Sequence, residues 1–70
     1  MTQAAILARI NFTAQKCLAR CYEAKDPNAY LSKFCNRLRA DPEWKERDVL
    51  AVDSAVRGML DLIVTADNYN

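Results

Sequence analysis

The chain has 70 residues, a net charge of +1, 51% hydrophobic and 27% charged residues, one glycine, two prolines and no histidine. That length holds one domain, the composition is globular rather than disordered, and the lack of histidine removes the commonest general base and metal ligand. No run approaches the ~20 apolar residues of a membrane span, and the longest candidate, residues 59–64, is broken by Asp61.

A β-rich chain of this size needs several tight turns, yet neither Asn-Gly nor Asp-Gly occurs, while Ala, Leu, Arg, Lys and Glu are plentiful. The N-terminus lacks the basic start, apolar core and small-residue cleavage site of a secretory signal peptide. The chain is therefore expected to be a complete short reading frame whose product is cytoplasmic, with reduced thiols.

Thr2 is placed to cap a first helix, over about residues 2–25. At ~100° per residue, Ile6, Leu7, Ile10, Ala14, Cys17, Leu18 and Cys21 share one face, with Arg9, Lys16, Arg20 and Glu23 opposite. Asp26-Pro27 then reads as a cap followed by proline at the first helical position, which ends one helix and starts the next. The second helix, residues 27–39, buries Tyr30, Leu31, Phe34, Cys35 and Leu38 and turns Lys33, Arg37 and Arg39 outward.

Asp41-Pro42 repeats the signal, with Glu43 in the first turn, where the helix dipole favours an acid. The third helix runs to Ala66, either unbroken from Pro42 or restarting near Arg47 or Asp48 after one turn through Trp44. Asp53, Arg57 and Asp61, four apart, form an exposed ion-pair ladder. Residues 67–70 form a frayed tail. Two short connections imply antiparallel neighbours, so the expected fold is all-α: one compact three-helix bundle over residues 1–66.

Three chemistries are weighed against this frame. Cys17 and Cys21 share a helix face, and Cys35 lies on the helix that folds back beside them. Three thiols together would suit a thiolate metal or redox site, but the spacing matches no zinc motif and all three sit on apolar stripes, where cysteine packs as a small hydrophobe. No metal or other cofactor is expected. Catalysis is not expected either: there is no glycine-rich phosphate loop, and every carboxylate but Asp53 falls on a polar face.

Nucleic-acid binding would use Arg9, Lys16 and Arg20 on the first helix with Lys33, Arg37 and Arg39 on the second. Residues 1–39 carry seven Lys/Arg against two acids, a net of +5, and residues 40–70 three against seven, a net of −4. A helix-turn-helix would need the third helix as reader, and its Asp48, Asp53 and Asp61 would repel phosphate.

The third helix carries the most telling pattern. Val49, Val52, Val56, Leu60 and Ile63 suffice to meet the other two helices. Ala51, Ala55, Met59, Leu62 and Ala66 form an adjoining strip with Gly58 at its border. A helix-interior glycine costs about 1 kcal/mol against alanine and is best tolerated where another backbone approaches. Phe12, off the main stripe of the first helix, and Trp44, in the connector, add aromatics of the kind enriched at binding hot spots. The expectation is a non-catalytic protein-binding module, an adaptor, inhibitor or regulator, that self-associates as a homodimer through the third helix. The alternatives are a nucleic-acid-associated regulator and a thiolate metal or redox protein. No membrane partner is expected.

Overall fold

A computed structural model describes the backbone of residues 2–69 and the side chains of residues 2–63. Three helices follow in order: α1 (Gln3–Glu23), α2 (Pro27–Ala40) and α3 (Glu46–Tyr69). Each packs against the other two, giving the expected three-helix bundle.

The starts are fixed by side chains that satisfy orphan amides. Thr2 Oγ1 accepts from Ala5 N at 3.2 Å, and Asp26 Oδ1 accepts from Ala29 N at 3.2 Å with Pro27 at the first helical position. Asp41-Pro42 behaves differently from its twin. Asp41 Oδ1 accepts from Glu43 N at 2.9 Å, but Trp44 N returns to Asp41 O at 3.0 Å. That closes a turn over residues 41–45, and α3 begins afresh at Glu46, which selects the interrupted form of the third helix. Its end lies at Tyr69 rather than Ala66, since no proline or glycine follows Gly58 to stop it.

Because α2 runs back against α1 and α3 runs back against α2, α1 and α3 lie parallel. The core between the three holds Ile10, Ala14, Cys17 and Cys21 of α1, Leu31 and Cys35 of α2, and Val49, Val52, Val56 and Leu60 of α3. Tyr30, Phe34, Leu38 and Trp44 pack on it from its edges.

Three expectations need correction. Leu7, assigned to the core stripe, is 54% exposed: it sits at the stripe's margin, whereas Ile10, nearer its centre, reaches the interior. Asp48, assigned to a polar face, is buried. It lies in the first turn of α3, where the positive end of the helix dipole offsets part of the cost of burying a carboxylate, with Arg47 Nε 3.5 Å away. The Asp53–Arg57 pair forms at 3.1 Å, but Asp53 is only half exposed and also faces Cys35. Its carboxylate holds the Arg57 guanidinium pKa above the usual value, through the hydrogen bond first and charge attraction second.

Candidate functional site

The cysteines come together only in part. All three are free and buried. Cys17 and Cys21 lie with their sulfurs 4.0 Å apart, Cys21 points at the Pro27 carbonyl at 3.7 Å, and Cys35 at Asp53 Oδ1 at 3.9 Å. Among the described residues no group of three or more His, Cys, Asp or Glu is placed to hold a metal ion. Burial, then the neighbouring Cys21 thiol, pushes the Cys17 thiol from 9.0 up to about 12. Burial also raises Cys21 and Cys35, the latter helped by Asp53. A thiol held protonated in a dry core is a poor nucleophile and a poor ligand.

These shifts set a pH dependence. The folded state holds the thiol protons more tightly than the unfolded chain does. Stability is therefore full below pH 9 and falls as pH rises from 9 toward 12. The urea midpoint in reducing buffer is expected to hold steady from pH 7 to 8.5 and drop by pH 10.5, with Cys17→Ala showing a smaller drop. Parallel profiles for the two proteins would contradict the assignment to Cys17.

The six basic candidates do not form one free patch. Arg9 is a tether: its guanidinium lies 4.1 Å from the Trp44 ring centroid, and Nη2 donates to Glu43 O at 2.9 Å. Its Nε is buried without a partner, a cost the stacking and the charged hydrogen bond outweigh. Arg39 pairs with Glu46 at 3.0 Å and donates to Asn36 Oδ1 at 3.0 Å. Lys16 is exposed, its ammonium 5.6 Å from the Phe12 ring, and Arg20, Lys33 and Arg37 are exposed too.

The protein-binding candidates divide similarly. Trp44 is half-buried under Arg9, so it closes the core edge and is not presented outward. Phe12 is exposed on α1. Ala55, Gly58, Met59 and Leu62 are exposed along α3, with Ala51 half-buried; the side chain of Ala66 lies outside the described residues. A Cβ built on Gly58 meets nothing within 4 Å, so no backbone of this chain explains a glycine there.

The part that sequence reasoning missed is on α1. Met59 and Ala55 do not face solvent alone: they line a groove of about 230 Å³ with Asn11, Ala14, Gln15, Leu18 and Val56. That groove holds no charged residue. On α1 the outward positions Ala4, Ala8, Asn11, Gln15, Leu18 and Tyr22 recur at alternating intervals of three and four. On α3, Ala51, Ala55, Gly58 and Leu62 do the same. Alternating three-four spacing keeps each set on one face of its helix. All ten positions are exposed or half-exposed, and none is charged. Beside its core the bundle thus carries an uncharged strip on the outer α1/α3 face, of which Leu18 and Ala51 pack against the core and the other positions are exposed.

Among the described residues no helix is long and apolar enough to cross a membrane. Comparison with known protein families, with curated proteins and with solved structures finds no match to this chain.

Proposed function

We propose that this chain is a small, non-catalytic protein-binding module, an adaptor, inhibitor or regulator, that self-associates through α3 in a reducing, cytoplasmic setting. The observation that carries this reading is the uncharged seam on the outer α1/α3 face. In a chain with 27% charged residues, ten outward positions of α1 and α3 without one charge, ending at Arg47 and Asp48 in the first turn of α3, have the composition of an interface centre, where charged residues are depleted. Its exposed Leu62 and the adjoining Met59 supply apolar area that association would remove from water.

A nucleic-acid-associated regulator is the second reading. It rests on Lys16, Arg20, Lys33 and Arg37, which stay exposed on the two basic helices. It is the weaker one because Arg9 and Arg39 are already held by contacts within the fold. Native mass by light scattering, over a concentration series in reducing buffer, tests the first reading. Twice the chain mass of 8.0 kDa is expected. A mass fixed at 8.0 kDa that rises only when duplex DNA is added would overturn self-association in favour of the second reading.

A further inference from the structure

We infer that the outer α1/α2 face binds the phosphate backbone of duplex nucleic acid without reading its sequence. This rests on the second, nucleic-acid reading above and adds the face, the groups it recognises and the form of the partner.

The charges lie on the face itself. α1 and α2 together hold six Lys/Arg and one acid, Glu23. Contacts with α3 show how each helix is turned. On α1, Asn11, Gln15 and Leu18 line the groove shared with α3, and Ile10, Ala14, Cys17 and Cys21 face the core. At about 100° per residue, Lys16 and Arg20 fall beyond the core stripe on the flank away from α3, where α2 lies. On α2, Arg39 reaches Glu46 of α3. Arg37 and Lys33 lie about 160° and 120° round the helix from Arg39, on the flank beside α1. Arg9 shares the flank of Lys16, but it is turned onto Trp44 and Glu43 and is not counted.

Lys16, Arg20, Lys33 and Arg37 are all exposed, and the ion pairs Arg39–Glu46, Arg47–Asp48 and Arg57–Asp53 leave them out. Each pair is four residues apart on its helix, about 6 Å, and packed helices lie about 8–10 Å apart. Counted from Lys25 in the α1/α2 turn, all four fall between about 7 and 18 Å along the bundle. They therefore form one patch, while α3, with two arginines against five acids, packs behind it.

Spacing and shape select the partner. A duplex carries one negative charge per about 1.7 Å of its axis, so the patch meets several phosphates at once. Two helices side by side are about 20 Å wide, too broad for a major groove of about 12 Å, so the face meets backbone and not base edges. A single strand wants exposed rings to stack on, whereas Tyr30 and Phe34, on this side of α2, are half-buried and packed on the core. Phe12 is exposed at the margin, beside Lys16, and serves to test that alternative. A membrane surface wants an apolar face alongside the charges, and here the apolar stripes of α1 and α2 turn into the bundle.

Fluorescence anisotropy of a labelled duplex of about 20 base pairs, at pH 7 over a salt series, tests this with the full chain. Four phosphate contacts predict an affinity that falls roughly 100-fold between 50 and 200 mM salt. Lys16→Gln and Arg37→Gln, made singly, are each expected to weaken binding at 50 mM salt about 5- to 15-fold, equally on unrelated sequences, and to lower the salt slope by about 1. Arg47→Gln removes the same charge from an exposed position on the α1/α3 side and is expected to cost less than about 2-fold. Circular dichroism checks that all three variants fold.

Equal losses from the three variants would place binding in net charge alone and overturn the face, with the nucleic-acid reading left standing. No binding to the duplex at 50 mM salt overturns both. Tighter binding to a single strand of the same length that is lost in Phe12→Ala overturns the duplex as partner. So does binding to phosphatidylserine vesicles with none to the duplex.

Discussion

Leu31→Ala is expected to lower the thermal midpoint by about 10–30 °C at fixed protein concentration, the largest stability effect of any single truncation in this fold. Leu31 is the largest side chain that is fully buried, and it reaches the centre from α2, the shortest helix. The other large side chains that are fully buried are valines and cysteines, too small to swing in and fill the space. Removing a buried leucine costs about 2–5 kcal/mol when the site cannot collapse. A 70-residue domain has only about 4–10 kcal/mol to lose. For domains of this size each kcal/mol moves the midpoint by about 4–8 °C. Ser32→Ala, one residue on and exposed, is the control and should move it by no more than a few degrees. Circular dichroism melts of the two variants decide the point, and a drop below about 5 °C for Leu31→Ala would mean that the core does not centre on this residue. Concentration must be held constant because self-association itself raises the midpoint.

Much of this architecture was legible from residue types and spacing. Asp26-Pro27 marks the α1/α2 boundary for a physical reason, a cap paired with a residue that has no amide to leave unsatisfied. The core could be read from the 3.6-residue period, and Val49, Val52, Val56 and Leu60 lie where it puts them. Asp41-Pro42 shows the limit of the same rule. The motif starts a turn in both places, but only the residues beyond decide whether the turn continues, and after Pro42 the chain closes on itself at Trp44.

What was hidden depended on elements far apart in sequence. Arg9 reads as one of a basic stripe until the connector brings the Glu43 carbonyl and Trp44 to it, 34 and 35 residues later. Asp48 reads as exposed until the first turn of α3 is seen packed against α1. The second seam on α1 was obscured by chemistry rather than distance. Asn11 and Gln15 are polar and so pass for solvent-facing residues, yet uncharged amides differ from Arg9 and Lys16 in how cheaply they enter an interface. Sorting charged from merely polar positions on the helical wheel would have exposed the pattern.

The most direct test of self-association through this face compares two equivalent leucines of α3. Leu62 is 65% exposed and lies on the outer seam, while Leu50 is 49% exposed and stands about 120° away around the helix. Neither holds the core, so a glutamate at either position should leave the fold intact. Each dimer with Leu62→Glu must bury two unpaired carboxylates in an apolar seam, which costs several kcal/mol and weakens association on the order of 100-fold or more. Native mass by light scattering should therefore find Leu62→Glu at 8.0 kDa under conditions where Leu50→Glu and the unmodified chain run at twice that mass. If Leu62→Glu keeps the dimer, or if Leu50→Glu loses it equally, the outer α1/α3 face is not where the copies meet.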